Sequence, residues 1–198
     1  MNFFTTAQVL LFIKRHPLTV AVAVLACIPY VILKLHGLVA LELWFMPASF
    51  GDFVNPLMLI RLWSPSFVHY ELLHLATNVY LWLLMASKLE KESRGHLIAL
   101  FLICAAFGNV SQYMIAGPNF GGLSGVVYGL LGYLWVQQVF AGRKDFRLDP
   151  ILCWVLLALI PVAATGMFGK YANAAHITGL LCGALLALPY VLYYRKDH

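Results

Sequence analysis

The sequence predicts an all-α membrane protein of six transmembrane helices, with a long interfacial loop after the first. Three observations carry that expectation. Hydrophobic residues make up 62% of the 198 and charged residues only 11%, with a mean hydropathy of +0.83. A water-soluble domain of this length has no interior large enough for so much apolar side chain. Apolar runs long enough, or nearly so, to cross ~30 Å of hydrocarbon recur along the chain. Basic residues collect in alternate connections between those runs.

Taken in order, residues 1–17 form a short amphipathic lead-in. Phe3, Phe4, Leu10, Leu11 and Phe12 suit an interface, and Lys14, Arg15 and His16 suit headgroups. Nothing in this stretch has the pattern of a cleaved signal peptide. Pro17 opens the first span, Leu18 to Leu35, because proline is tolerated where its missing N–H has no helical partner anyway. From His36 to Pro65 the chain is broken by Gly37, Pro47, Gly51, Pro56 and Pro65. Each proline removes a backbone bond, so no straight spanning helix is expected. Trp44 and Trp63 favour a loop lying in the membrane interface.

The second span, Val68 to Leu89, carries His69, Glu71, His74, Thr77 and Asn78 in its first half. The third, Leu97 to Ile115, ends with Asn109, Ser111 and Gln112. The fourth is Leu123 to Phe140. The fifth, Ile151 to Phe168, contains Pro161 as a kink. The sixth is Ala172 to Tyr193, so that residues 18–193 form a single membrane domain and 194–198 a short tail.

Six spans put both termini on one side. Lys14, Arg15, Lys88, Lys91, Arg94, Arg143, Lys144, Arg147, Arg195 and Lys196 then share it, ten of the 13 basic residues. Cytoplasmic loops are the ones enriched in Lys and Arg, which makes that side the cytoplasm. Cys27, Cys104, Cys153 and Cys182 all lie in apolar runs, without metal-ligand spacing or a disulfide framework. No metal, no cofactor and no nucleic-acid partner are expected.

The topology sorts the polar residues. His74, Asn78, Asn109, Gln112, Ser124 and His176 fall at one level in the outer half. Ionisable groups at membrane depth are costly and face an internal cavity. His74 and Asn78, four apart, share a helix face. Ser124 lies in Gly121-Gly122-Leu123-Ser124-Gly125, where a loop becomes a helix. Taken alone, that stretch also reads as a capped helix start with small residues for packing. Gly125 and Gly129 in span four match Gly179 and Gly183 in span six at small-xxx-small spacing, which lets two helices approach closely. Ser124 precedes Gly125 by one residue and His176 precedes Gly179 by three, so that approach draws the hydroxyl toward the imidazole. No Asp or Glu lies in spans four to six to orient the base, so the expected arrangement is a dyad. Tyr128, one turn after Ser124, is positioned to pack on the ring.

Gly122-Leu123-Ser124-Gly125, His74-x-x-x-Asn78 and Ala175-His176-x-x-Gly179-x-x-x-Gly183 together resemble the rhomboid intramembrane serine proteases. The six-span plan and the long first loop are similar to the compact bacterial class. The resemblance implies a six-helix rhomboid bundle that cleaves membrane-protein substrates within or near their membrane segments, its site opening to the outer side of the bilayer. It implies Ser124 as nucleophile, His176 as general base, and His74, Asn78 and the Ser124 N–H as the oxyanion hole. Gly122, Gly125 and Tyr128 support that site. It also implies a cap over the site at Thr165 to Tyr171, with Met167 and Phe168 as plugs, and a structural or water-ordering role for His69. Two departures are visible: Ile60-Arg61 where the family has Trp-Arg, and Ala86-Ser87-Lys88 where it has a glycine-rich helix end. The rival readings are a non-catalytic relative that binds membrane proteins, a transporter or channel, and a haem protein using His74 and His176. The second needs polar residues through both halves or inverted repeats, and neither is found. The sequence does not speak to oligomeric state.

Overall fold

A computed structural model describes residues 5–164 and 172–196. Among them there is no strand. Seven α-helices are present: α1 (Thr6–Arg15), α2 (Pro17–His36), α3 (Leu72–Glu92), α4 (Arg94–Ala116), α5 (Ser124–Phe140), α6 (Pro150–Ala164) and α7 (Asn173–Lys196).

The local causes are mostly caps. Thr5 accepts from the Gln8 N–H while Gln8 reaches back, a reciprocal cap on α1. Pro17 begins α2, and Gly37 at φ 78° ends it. Gly117 at φ 78° stops α4, a left-handed conformation that glycine adopts without steric penalty. Ser93 alone separates α3 from α4 and caps the latter by accepting from the His96 N–H, so the two helices fold back on each other.

Among the described residues, four helices, α2, α3, α4 and α7, are long and apolar enough to cross a membrane. α5 has 17 residues and α6 15. α5 is enclosed by protein: every residue from Gly125 to Leu134 is buried. It is the central rod of the bundle, and the main apolar core forms around it.

The stretch expected to be one irregular loop contains four short 3₁₀ segments, Leu38–Trp44, Phe50–Val54, Pro56–Leu62 and Ser64–Phe67. Pro56 opens one and Pro65 lies at the start of another. The prolines that forbid a long helix thus serve as starts of short ones. Arg61 ties the stretch together, donating to the Glu42 carbonyl at 2.6 Å and the Leu43 carbonyl at 3.2 Å. Trp63 Nε1 donates to the Leu102 carbonyl of α4 at 2.9 Å. Leu41, Phe45 and Val68 form a small second core beneath it.

Glu90 lies in the charged stretch from Lys88 to Arg94 that joins α3 to α4. It is only 4% exposed, because it caps α2. Its carboxylate accepts from the Leu18 N–H at 2.9 Å, the Thr19 N–H at 2.8 Å and the Thr19 hydroxyl at 2.6 Å. Trp82 completes the joint by donating to the Thr19 carbonyl. Anionic oxygen is favoured there, because the first N–H groups of a helix have no internal partner and carry the positive end of its dipole.

Candidate active site

The glycine seam between α5 and α7 sets the geometry. A Cβ built on Gly179 would lie 2.0 Å from the Gly125 carbonyl oxygen, and one on Gly183 would lie 1.8 Å from that of Gly129. Only hydrogen fits at either position. Gly132 repeats the pattern against the Leu180 carbonyl, at 2.3 Å. The two backbones therefore cross in contact.

That crossing brings Ser124 Oγ to 2.8 Å from His176 Nε2. His176 is 8% exposed. Its Nδ1 is buried with no hydrogen-bond partner among the described residues, so no described carboxylate orients the ring. With the proton on Nδ1, Nε2 is the acceptor and the serine hydroxyl donates to it. Orientation comes from Tyr128, whose ring lies stacked on the imidazole, centroids 4.6 Å apart at 28°. The Tyr128 hydroxyl donates in turn to the Leu156 carbonyl of α6 at 2.6 Å, which fixes the plane of the stack. Gln112 holds the start of α7 by accepting from the Ala174 N–H at 3.1 Å.

Ahead of α5, Gly122 adopts φ 133°, a region open to glycine and strained for other residues. A Cβ there would lie 3.0 Å from His74 Nε2 and 3.6 Å from Ser124 Oγ. The loop thus runs against the His74 ring, and that ring and the serine oxygen border the same small space. α5 starts at Ser124 with no side-chain cap, and the first N–H groups of a helix lack intrahelical acceptors.

Asn78, expected beside the serine, directs Nδ2 to His69 Nε2 at 3.1 Å. The reason lies in the turn before α3. His69 Nδ1 is 3.0 Å from the Phe67 carbonyl. A carbonyl only accepts, so the proton is on Nδ1 and Nε2 accepts. It receives Asn78 Nδ2 and, at 3.4 Å, the Leu123 N–H. His69 thereby links the loop, α3 and the residue before the serine. It also meets His74 edge-on, with centroids 4.9 Å apart. Burial first, and His74 second, push its pKa down to about 4. It is neutral near pH 7, as acceptance by Nε2 requires.

Asn109, grouped with the site by depth, is bonded to the first loop, donating to the Leu62 carbonyl at 2.8 Å and to Ser66 Oγ at 3.0 Å. The expected cap at Thr165 to Tyr171 lies outside the described residues. The links of His69 to Asn78 and of Glu90 to Thr19 are missed by helical periodicity. One crosses a turn at a spacing of nine residues, and the other joins positions 71 apart.

Comparison with known proteins adds the following. A family model described as the rhomboid domain matches residues 56–193. The chain is similar to the Rhomboid protease GlpG homolog of Cronobacter sakazakii, 34% identical over 185 residues, covering 91% of this chain and 65% of that protein. It is also similar to Rhomboid protease GlpG of Yersinia enterocolitica, 35% identical over 173 residues, covering 86% of this chain and 62% of that one. A similar protein of the same name in Yersinia pestis is 33% identical over 174 residues, with 86% and 62% covered. The chain thus spans just under two thirds of the length of these curated relatives.

Proposed function

The chain belongs to the rhomboid family, and on that footing we propose that it is an intramembrane serine endopeptidase acting through a Ser124–His176 dyad. The observation that carries the proposal is the 2.8 Å contact between Ser124 Oγ and His176 Nε2, beside His74 and at an uncapped helix start. A serine becomes nucleophilic when a base within hydrogen-bond reach takes its proton.

In the first step Oγ bonds to the substrate carbonyl carbon as its proton passes to His176 Nε2. The carbonyl oxygen becomes an oxyanion. Three donors of this chain suit it: the Ser124 N–H, a ring N–H of His74, and the second amide hydrogen of Asn78, the first being held by His69. Fixed donors aimed at developing charge are the largest single contribution in many such reactions. His176 then gives its proton to the leaving amine, and the acyl-enzyme forms. Water repeats the sequence, with His176 again as base, and frees the acid. Tyr128 keeps the ring in line in place of a carboxylate.

The substrates are membrane proteins, cut within or near a membrane segment. An intact helix shields its carbonyls in hydrogen bonds, so segments with small or helix-breaking residues near the cut are preferred. α2 to α7 are the six spans, with both termini on the basic, cytoplasmic side and the site opening on the other. The enclosure of α5 by protein supports counting it as a span despite its 17 residues, about 25 Å of helix.

The test is a co-expressed membrane substrate with wild type and Ser124→Ala. Serine to alanine leaves the fold in place and removes the nucleophile, so cleavage falls by about three orders of magnitude or more. A serine-directed phosphonate probe labels wild type alone. Undiminished processing by a folded Ser124→Ala protein overturns the proposal.

A further inference from the structure

At the opposite end of the bundle from Ser124, an open groove of ≈ 480 Å³ is lined by Arg15, His16, Glu90, Lys91 and Arg94. The groove lies where α1 meets α2 and α3 turns into α4. Three of its side chains are cations, and Arg15, Lys91 and Arg94 are all exposed. Its one carboxylate is engaged elsewhere. Glu90 accepts three hydrogen bonds from Leu18 and Thr19, and its contact with Arg94 Nε, at 3.6 Å, is a long one. His16 Nδ1, buried at the same place, has no hydrogen-bond partner among the described residues. The groove is therefore a cationic surface with a surplus of donors.

What adjoins it is apolar. Arg94, Ile98 and Leu102 are spaced by four on one face of α4. Ile98 and Leu102 are 46% and 42% exposed. On the other side, α1 has no buried residue, and its Leu10, Leu11 and Ile13 are 54%, 46% and 42% exposed. A soluble anion gains nothing from these faces. A molecule with an anionic head and an acyl chain uses both the cations and the apolar track below them.

We infer that this groove is a binding site for one anionic phospholipid, its phosphate among Arg15, Lys91 and Arg94 and an acyl chain along Ile98 and Leu102. Basic pockets between helices on the cytoplasmic side hold such headgroups in other membrane proteins. The bound lipid joins the α1–α2 corner to the α3–α4 turn, which Glu90 already connects through its cap on α2. The inference does not depend on the proteolytic reading.

The experiment is native mass spectrometry of the full-length protein in detergent, titrated with phosphatidylglycerol, with phosphatidylcholine, and with glycerol 3-phosphate as the headgroup alone. Wild type is expected to retain one phosphatidylglycerol in preference to phosphatidylcholine, and glycerol 3-phosphate is not expected to displace it. Arg15→Gln and Lys91→Gln, both at exposed positions, each weaken retention roughly fivefold, the effect of one basic residue near an anionic headgroup. Lys144→Gln, an exposed lysine outside the groove, leaves it unchanged. The double variant Arg15→Gln/Lys91→Gln spares the contact of Arg94 with Glu90, so it tests the site without disturbing the α2 cap. Retention by the double variant equal to wild type overturns the inference. So does displacement of the lipid by glycerol 3-phosphate at equal concentration, which marks a simple anion site.

Discussion

Adding one methyl group at Gly179 tests whether the seam between α5 and α7 sets the dyad. The Cβ of Gly179→Ala would lie 2.0 Å from the Gly125 carbonyl oxygen. Carbon and carbonyl oxygen approach no closer than about 3.3 Å, so the helices separate by about 1.3 Å. Ser124 is next to Gly125 in sequence, and His176 is about one turn from Gly179. A shift of that size stretches their 2.8 Å contact to about 4.1 Å, past hydrogen-bond reach. Loss of alignment on this scale costs about a hundredfold in rate. Gly125→Ala is the internal control, since its Cβ would lie 3.3 Å from the Ala175 carbonyl oxygen. A displacement of a few tenths of an ångström accommodates it, and activity stays within about tenfold. The assay is kcat/KM on a fluorogenic membrane substrate, with thermal midpoints in detergent to show that both variants are folded. A folded Gly179→Ala enzyme within threefold of wild type, or a Gly125→Ala enzyme equally impaired, would refute the reasoning.

Other expectations follow from the same contacts. His69 titrates at about 4 in the folded protein against an ordinary value near 6.5, so its contribution to stability is complete above about pH 6.5. It is lost as the pH falls toward 4, at up to about 1.4 kcal/mol per unit. The thermal midpoint of His69→Gln, followed from pH 7.5 to 4.5, has a shallower acid slope than wild type, and parallel slopes contradict the assignment. Glu90→Ala strands the N–H groups of Leu18 and Thr19 in a buried place, and destabilises by roughly 3 kcal/mol. Glu90→Gln, which keeps one acceptor oxygen, costs less, and equal unfolding midpoints for the two variants count against the cap. Tyr128→Phe keeps the ring on His176 but loses the bond to the Leu156 carbonyl. It lowers stability by about 1 kcal/mol and leaves turnover within a few-fold. A collapse of turnover in that variant assigns the hydroxyl a direct part in the chemistry.

How much of this is legible in the sequence depends on the range of the interaction. Helical spacing makes the close crossing of α5 and α7 readable, because Gly125 and Gly129 face Gly179 and Gly183 by period alone. Span ends are less clear. The second span is expected from Val68, yet α3 begins at Leu72, because Val68 packs against Gly121 and His69 bonds the Phe67 carbonyl in the turn before it. The 3₁₀ segments of the first loop are invisible to a search for longer periods. Asn78 turning to His69, and Glu90 turning to Thr19, follow from tertiary contacts that no local pattern encodes. The pairing of His96 Nε2 with the Tyr190 hydroxyl, 94 positions away, is of the same kind.

The seam has a further consequence, for motion. Where carbonyl oxygens rest in the hollows left by missing side chains, α5 and α7 are keyed against axial sliding. A one-residue slip would drive a side chain into a backbone oxygen at more than one point along the crossing. The serine and the histidine therefore travel together as parts of one stiff body. If the proposed proteolysis holds, an opening wide enough to admit a polypeptide falls to the elements that do not share the key.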